Sequence, residues 1–176
     1  MTNEFTRVKV ISDKEVQGVA EQVFQQLVDK QGGVPNWARV MANRPEILAT
    51  FMRLLGTSMG PGLVEQDNKW KMAYAVSEVN KCEYCVGVAG AMLEKLGVAK
   101  ENIEDVISEK AKLKADEKIA VEYAESVTKD ANAVSDEQFA ALKEHYNDEQ
   151  IVELTAVIGL FNYINRFNDA LRVLPE

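Results

Sequence analysis

Apolar residues recur along most of the chain at the three- and four-residue spacing of an amphipathic helix. The first such stretch has them at positions 16, 19, 20, 23, 24, 27 and 28, which places them along one helical face. Ser12 and Glu15 have the spacing of a capping box ahead of this stretch. Gly32, Gly33 and Pro35 follow it and predict where the helix ends.

Further helices are predicted from residue 43 to the end of the chain, each bounded by a capping pair, a glycine or a proline. We find no alternating pattern typical of strands and no internal repeat. The chain is therefore predicted to be all-α, with about eight helices. After a short segment around Trp37–Ala42, a helix capped by Asn43 is predicted to end at Gly60–Gly62, and its buried residues are Ile47, Leu48, Phe51, Met52, Leu54 and Leu55. A helix over 65–79 and one capped by Asn80 and running to about Gly97 follow, and then helices near 100–108 and 114–129. The capping pairs Ser135/Gln138 and Asn147/Gln150 predict two further helix starts, and the last helix runs from about Asp148 to Leu171.

Length and charge narrow the class of protein. The 176 residues predict a single domain over 1–176, possibly built from two helical halves joined near 109–116. A net charge of −8 argues against binding to nucleic acid or to an anionic membrane. No apolar run is long enough to span a bilayer. The first ten residues, MTNEFTRVKV, lack the apolar core of a signal peptide, so a cytoplasmic location is expected.

The two cysteines of the chain, Cys82 and Cys85, have the spacing of a redox-active pair. Residues three apart share one face of a helix, so the two sulfurs should point the same way. A position in the first turn of a helix favours a thiolate, because the helix dipole is positive at that end. The thiolate is the species that attacks a peroxide or a disulfide, and a neighbouring thiol can then close an internal disulfide.

Three other interpretations of the pair compete with a redox role. A zinc site would need four ligands, and the only other candidate is the distant His145, so a metal would have to be shared between subunits. Covalent attachment of haem is excluded, because Val86 stands where a histidine must follow the second cysteine. Two inert buried cysteines remain an alternative, since cysteine is often buried in protein cores.

The run Tyr74–Val86 resembles the core of the alkylhydroperoxidase D-like, or carboxymuconolactone decarboxylase, superfamily. Segments 34–37, 43–46 and 160–166 resemble its peroxidase-related branch. The resemblance implies an alkylhydroperoxidase D-like helical fold with the cysteine pair at the start of a central helix. It also implies thiol peroxidase activity and assembly into trimers or hexamers. By the same resemblance Cys85 would attack the peroxide and Cys82 would resolve the product, whereas the position nearer the helix end favours Cys82 as the attacking thiol.

The sequence departs from the family pattern at the proton relay. The usual histidine is replaced by Ala89 and the usual glutamate by Trp70. Glu78, one turn before Cys82, is the candidate substitute base, although a carboxylate beside a thiol also disfavours the thiolate by charge repulsion. General-base assistance contributes about 10²–10⁴-fold in rate, so a weakened peroxidase is expected.

The combined prediction is a thiol-dependent antioxidant oxidoreductase that reduces hydroperoxides, or a partner disulfide, through a Cys82/Cys85 dithiol–disulfide cycle with Glu78 as an assisting group. The expected partners are a hydroperoxide, an unidentified thiol reductant and further copies of the chain. No cofactor, metal, nucleic acid or membrane is expected. Two alternatives are a carboxymuconolactone decarboxylase-type lyase, which does not need two thiols, and a non-catalytic redox sensor or scaffold.

Overall fold

The computed structural model describes residues 6–175 and confirms the all-α prediction, since no strand occurs within that range. Two short 3₁₀ helices, Lys110–Lys112 and Ala131–Ala133, accompany the α-helices. The α-helices of these residues are α1 Val19–Gln31, α2 Asn36–Met41, α3 Pro45–Met59, α4 Gln66–Asn80, α5 Glu83–Lys95, α6 Lys100–Ser108, α7 Ala115–Asp130, α8 Asp136–Lys143 and α9 Asp148–Leu171.

The described helices divide into two compact units. The first comprises the described residues up to Gly56 together with 167–175, and the second comprises Thr57–Arg166. Segment 109–116, considered above as a junction between helical halves, lies inside the second unit. The single domain over 1–176 stays a prediction, and its first residues lie outside the described range.

Aromatic contacts organise the core of the first unit. Trp37 of α2 meets Phe51 of α3 edge to face, with ring centroids 5.3 Å apart. The guanidinium of Arg39 lies 5.4 Å from the centroid of the Phe24 ring and donates a hydrogen bond to the Val34 carbonyl. These contacts join α1, α2 and α3 through a cation and three rings.

Two apolar residues predicted on the buried face of α3 are exposed. Leu48 and Phe51 are buried as expected, but Ile47 and Leu54 are 41% and 50% exposed. The buried stripe is therefore narrower than the apolar pattern of the helix. Helical spacing identifies which residues share a face, whereas the width of the covered stripe depends on the neighbours that pack against it.

The first predicted capping pair forms hydrogen bonds without starting a helix. The Ser12 hydroxyl donates to the Glu15 carboxylate over 2.8 Å, but the helix begins only at Val19. Gly18, which lies between Glu15 and the first residue of α1, has a φ of 64°, a left-handed conformation that interrupts the helical path. The capping box of the sequence therefore closes an isolated turn.

The two later capping pairs act as predicted. The Ser135 hydroxyl accepts a hydrogen bond from the Gln138 amide at the start of α8. At the start of α9 the Asn147 and Gln150 side chains each accept from the other residue's backbone N–H, over 2.9 and 3.0 Å. The bond is one-way at Ser135 and reciprocal at Asn147, and in both places it satisfies an amide in the first turn of the helix.

A buried ion pair joins α4 to α9 inside the second unit. Lys69 is 0% exposed, and its ammonium donates to the Glu153 carboxylate and to the Gly60 carbonyl, each over 2.6 Å. The same carboxylate accepts from the Leu63 amide over 2.8 Å. Gly62 lies so close that a Cβ there would overlap the Glu153 carboxylate. The turn before α4 therefore packs closely around the Glu153 carboxylate.

The ionisation of Glu153 follows from these contacts. Burial alone would raise the pKa of Glu153, but the hydrogen bonds from Lys69 and from the amides of Leu63 and Val64 outweigh it, so the pKa of Glu153 is lowered. The carboxylate is therefore held in its charged form opposite a fully buried ammonium.

A second lysine links α4 to α7. The Lys71 ammonium lies 2.9 Å from carboxylate oxygens of both Asp67 and Glu117. Burial favours a raised pKa for each carboxyl, but Lys71 outweighs burial and lowers the pKa of Asp67 and of Glu117. Both buried lysines of α4 thus hold neighbouring helices through paired charges.

Nothing in the described helices has both the length and the apolar character needed to cross a bilayer. The predicted absence of a signal peptide rests partly on residues 1–5, which lie outside the described residues. The cytoplasmic location stays a prediction.

Candidate active site

The cysteine pair lies at a two-residue break between α4 and α5. Lys81 ends α4 in a left-handed conformation, with φ 60° and ψ 33°, and its amide donates to the Glu78 carbonyl. The Cys82 amide donates to the Ser77 carbonyl over 3.0 Å, which closes the turn. Helix α5 begins at the next residue, Glu83, so the break positions both cysteines at its N-terminal end.

The residue that caps α5 differs from the prediction. Asn80 was expected as the cap, but it is the last residue of α4, and Cys82 occupies the N-cap of α5 with φ −86° and ψ 92°. The shift arises because the Asn80 side chain has partners elsewhere, on α9. Cys82 therefore lies two positions closer to the helix end than the capping pattern implies, and Cys85 is the third residue of the helix.

The two sulfurs lie side by side. The distance from Cys82 Sγ to Cys85 Sγ is 2.8 Å, within hydrogen-bonding reach of a thiol. A disulfide requires about 2.05 Å, so a small movement would bring the atoms to bonding distance. The expectation that both sulfurs share one face of the structure is confirmed, while the roles of the two thiols stay predictions.

Both cysteines are buried, which is the environment that the alternative of two inert cysteines predicts. Cys82 is 0% exposed and Cys85 is 3% exposed. The helix dipole favours an anion at this end of α5, whereas removal from water disfavours one. Access by a substrate therefore requires a local opening around the first turn of α5.

Glu78, the predicted assisting group, is on the exposed side of α4. Tyr74 lies one turn earlier on the same helix. Burial, followed by the negative charge of Glu78, raises the pKa of Tyr74. Gly90 of α5 faces the Tyr74 ring, where an added Cβ would lie 3.9 Å from the ring edge. Tyr74 and Glu78 therefore lie near the contact between α4 and α5, the helices on either side of the Cys82 turn.

The positions of the family's proton relay are occupied by packed apolar groups. Ala89 is fully buried in α5. Trp70 is also buried, and its ring meets Phe161 edge to face with centroids 5.7 Å apart. Within residues 6–175 the indole Nε1 of Trp70 has no hydrogen-bond partner. Neither position supplies an acid or a base, as the sequence predicted.

A network of asparagines holds the end of α4 against α9. The Asn80 amide donates to the side-chain oxygens of Asn162 and Asn165, over 3.0 and 2.9 Å. Asn165 is fully buried and donates to the Ser77 hydroxyl over 3.2 Å. The network therefore anchors both Asn80, two residues before Cys82, and Ser77, whose carbonyl accepts from the Cys82 amide.

Sequence reasoning missed this network. Arg166, next to Asn165, is exposed and donates to the Asn162 side chain and carbonyl. The available signal was Asn162 and Asn165, two of the three asparagines of a helix with a long apolar face, because a buried amide requires partners. Their partners could not be named without the packing of α9 on α4.

No group of three or more potential metal ligands lies close together among residues 6–175. The two thiols alone would leave a tetrahedral zinc ion two ligands short. The chemistry that the site can perform with its own atoms is therefore that of a dithiol.

Comparison with known proteins agrees with this geometry. The carboxymuconolactone decarboxylase family model matches residues 45–126, which include α4, the cysteine turn and α5. YdfG of Bacillus subtilis (strain 168), an uncharacterized protein, is 30% identical over 99 residues, which cover 54% of this chain and 67% of that protein. YnjA of Escherichia coli (strain K12), also uncharacterized, is 30% identical over 100 residues, or 56% of this chain. The match spans little more than half, 55%, of YnjA.

Solved structures agree over almost the whole chain. An uncharacterized peroxidase-related protein from Silicibacter sp. TM1040 is 24% identical, with a TM-score of 0.89 over 99% of this chain and 94% of that one. An alkylhydroperoxidase AhpD core protein from Ralstonia eutropha JMP134, also peroxidase-related and uncharacterized, is 24% identical, with a TM-score of 0.88 over 98% and 93%. At this identity the likeness establishes the fold. The resemblance inferred from the cysteine motif is confirmed at the level of family and fold: the chain belongs to the carboxymuconolactone decarboxylase family and has the fold of the alkylhydroperoxidase AhpD core protein.

Proposed function

We propose that this protein is a dithiol oxidoreductase that reduces hydroperoxides by cycling Cys82 and Cys85 between dithiol and disulfide. The observation that carries the proposal is the 2.8 Å separation of the two sulfurs at the start of α5. The family match and the peroxidase-related name of the Silicibacter protein support the same class of chemistry.

The proposed reaction has two steps. In the first, the Cys85 thiolate attacks the terminal oxygen of the hydroperoxide, the O–O bond breaks, and the departing alkoxide takes up a proton to become an alcohol. In the second, the Cys82 thiol attacks the resulting sulfenic sulfur, forming the disulfide and releasing water. Two thiols are oxidised and one peroxide bond is reduced in each cycle.

A thiol reductant must complete the cycle. Its thiolate attacks the Cys82–Cys85 disulfide, forms a mixed disulfide, and a second reductant thiol then displaces the restored dithiol. The same exchange run in the other direction would reduce a disulfide of a partner protein. Which direction prevails depends on the reduction potentials of the two couples.

We expect the peroxidase reaction to be slow compared with relatives that retain the relay. Ala89 and Trp70 present only buried apolar surface and an indole where the histidine and glutamate usually stand. Because an acid–base partner contributes about 10²–10⁴-fold, its loss also makes a redox sensor a second candidate. The apolar groups at positions 70 and 89 favour that candidate, since a sensor needs only one oxidation event rather than rapid turnover.

The proposal is tested by adding a stoichiometric amount of cumene hydroperoxide to the reduced, oxygen-free protein. We expect two thiols to disappear for each hydroperoxide consumed, with an internal Cys82–Cys85 disulfide identified by mass spectrometry. Excess hydroperoxide with a dithiol reductant separates a catalyst from a sensor, because only a catalyst consumes many equivalents. Thiols that stay reduced in the folded protein would refute the proposal, and turnover of a carboxylated lactone by the double serine variant would favour the lyase.

Glu78→Gln is expected to slow oxidation by hydroperoxide about 10–100-fold if Glu78 accepts the thiol proton. Glu83→Gln is the matched control, because it removes the same charge from an exposed glutamate beside Cys82 without removing the proposed base. The rate of thiol loss is followed across pH, and the deficit of Glu78→Gln should shrink at high pH, where the thiol ionises unaided. Equal effects of the two substitutions would show that Glu78 acts only through its charge.

A further inference from the structure

The buried side chain of Asn165 links α9 to the last helical turn before Cys82. Its oxygen accepts a hydrogen bond from the Asn80 amide over 2.9 Å, and its own amide donates to the Ser77 hydroxyl over 3.2 Å. Asn165 is 0% exposed, so both bonds are made away from water, where a lost partner is costly to replace. One side chain of α9 therefore fixes the end of α4 at two points.

The backbone that leads from α4 to Cys82 has an unfavourable conformation. Lys81 has φ 60° and ψ 33°, a left-handed conformation that residues other than glycine adopt at a cost. Such a residue keeps its conformation only where the surrounding contacts hold it. The Cys82 amide donates to the Ser77 carbonyl over 3.0 Å. The Asn165 side chain and the Cys82 backbone are thus both bonded to Ser77.

A second asparagine of α9 supports the first. Asn162 accepts from the Asn80 amide over 3.0 Å and donates to the Thr128 hydroxyl of α7 over 3.1 Å. All of these residues belong to the second unit, Thr57–Arg166. The turn before Cys82 is therefore fixed relative to two helices that pack around α4.

We propose that Asn165 is a positioning residue that stabilises the Cys82–Cys85 disulfide relative to the dithiol, because it holds the two sulfurs close together in the reduced protein. This role rests on the dithiol–disulfide cycle proposed above. The sulfurs are 2.8 Å apart, so little conformational freedom is left to lose when the bond forms. In a loosened turn the dithiol would gain conformations with separated sulfurs, whereas the disulfide would still hold them together. Loosening therefore favours the dithiol.

The test is the reduction potential of the cysteine pair, measured without oxygen in glutathione and dithiothreitol buffers. The two protein thiols pass two electrons and two protons to the buffer disulfide, which becomes two thiols. Alkylation followed by mass spectrometry gives the oxidised fraction at each buffer potential. Asn165→Leu has a similar volume but can make neither hydrogen bond. We expect this variant to shift the equilibrium about tenfold towards the dithiol, which raises the potential by about 30 mV.

Tyr146→Phe is the matched control. The Tyr146 hydroxyl accepts a buried hydrogen bond from Asn68 over 2.7 Å. Asn68 also belongs to α4 but lies about 13.5 Å along the helix from Ser77. The control should destabilise the oxidised and the reduced protein alike and leave the potential unchanged, because the potential depends only on the difference between the two forms.

Asn80→Ala provides a second variant at a half-buried position. It removes the other end of the same bonds, and it should also raise the potential. Circular dichroism checks that each variant is folded, and Asn80→Ala supplies the result if Asn165→Leu does not fold.

Substitutions at Lys81 establish whether Asn165 acts through the backbone of the turn. Glycine adopts the left-handed conformation without the penalty of a Cβ. Lys81→Gly added to Asn165→Leu should therefore recover part of the shift in potential. Lys81→Ala added to the same variant removes the same charge but keeps the Cβ, and it should recover none.

The possible failures are distinguishable. A potential that Asn165→Leu and Asn80→Ala leave unchanged, or that Tyr146→Phe raises equally, would overturn the positioning role and leave the dithiol–disulfide cycle intact. Equal potentials with glycine and alanine at position 81 would overturn the action through the turn. A wild type that forms no Cys82–Cys85 disulfide in any buffer would refute the cycle and the positioning role together. No hydroperoxide is added, so the rate of peroxidase turnover does not affect the result.

Discussion

Replacing Cys85 by serine is expected to abolish oxidation of the protein by hydroperoxides, with the rate falling by at least about 10³-fold. A serine hydroxyl is not ionised near neutral pH and cannot attack the peroxide bond as a thiolate does. The remaining Cys82 sulfur is 0% exposed. It also lacks the neighbour with which it could close a disulfide. Stopped-flow peroxide consumption and intact mass together measure the loss.

Cys82→Ser provides the matched comparison, because it removes the neighbouring sulfur and retains the proposed attacking one. This variant should still react once with a hydroperoxide and stop at the sulfenic acid, one oxygen atom heavier and trapped by dimedone. If the sulfenic acid instead accumulates in Cys85→Ser, the two cysteines have exchanged roles and the helix-end argument for Cys82 is correct. Continued turnover in both variants would contradict a dithiol mechanism.

Glu153→Gln is expected to destabilise the folded protein by about 3–5 kcal/mol. The substitution removes the negative charge opposite the fully buried Lys69 ammonium and leaves it only uncharged acceptors, such as the Gly60 carbonyl. An uncompensated buried charge is far more costly than the loss of an ordinary contact. Urea unfolding followed by circular dichroism measures the change in the free energy of unfolding.

Two further variants test whether the loss of stability comes from the unpaired charge of Lys69. Glu122→Gln removes a carboxylate from a largely exposed pair with Lys118, whose charged atoms are 3.8 Å apart, and should change the free energy of unfolding by less than about 0.5 kcal/mol. Adding Lys69→Met to Glu153→Gln removes the isolated ammonium and should recover part of the lost stability. An equal loss in Glu122→Gln, or no recovery in the double variant, would contradict the account.

The same pair predicts a dependence on pH. Because the pKa of Glu153 is lowered in the folded protein, its charge stabilises the fold above the usual carboxyl pKa of about 4.3, and this contribution is lost as the pH falls through the lowered value. The stability difference between the wild type and Glu153→Gln should therefore narrow in acid. A difference that stays constant down to acid unfolding would show that the charge of Glu153 is not the cause.

The capping pairs show how far local sequence predicts this fold. Ser135/Gln138 and Asn147/Gln150 start helices as expected, because each pair satisfies the first amides of the helix that follows. Ser12 and Glu15 make the same kind of contact, yet Gly18 at φ 64° delays α1 to Val19. A capping pair specifies a local turn, and a helix follows only where the next residues continue it.

Some features of the candidate site likewise follow from local sequence, and others depend on residues that are distant in sequence. The spacing of Cys82 and Cys85 placed both sulfurs on one side of a helix start, and the 2.8 Å separation agrees. Their burial was one of the alternatives that the residues left open, whereas the displacement of the cap from Asn80 to Cys82 was not predictable. The Asn80 side chain bonds instead to α9, whose Asn165 lies 85 residues from Asn80 in sequence.

The sequence by itself determined the helices, the position of the dithiol at a helix start and the absence of an acid–base group at positions 70 and 89. These properties follow from residue types and from spacings of three or four residues, which act within a single turn. Only the tertiary structure decided which polar groups are buried, as with Lys69 and Glu153, which lie 84 residues apart. Solvation and charge pairing depend on the elements packed around a group, and a linear pattern does not specify those neighbours.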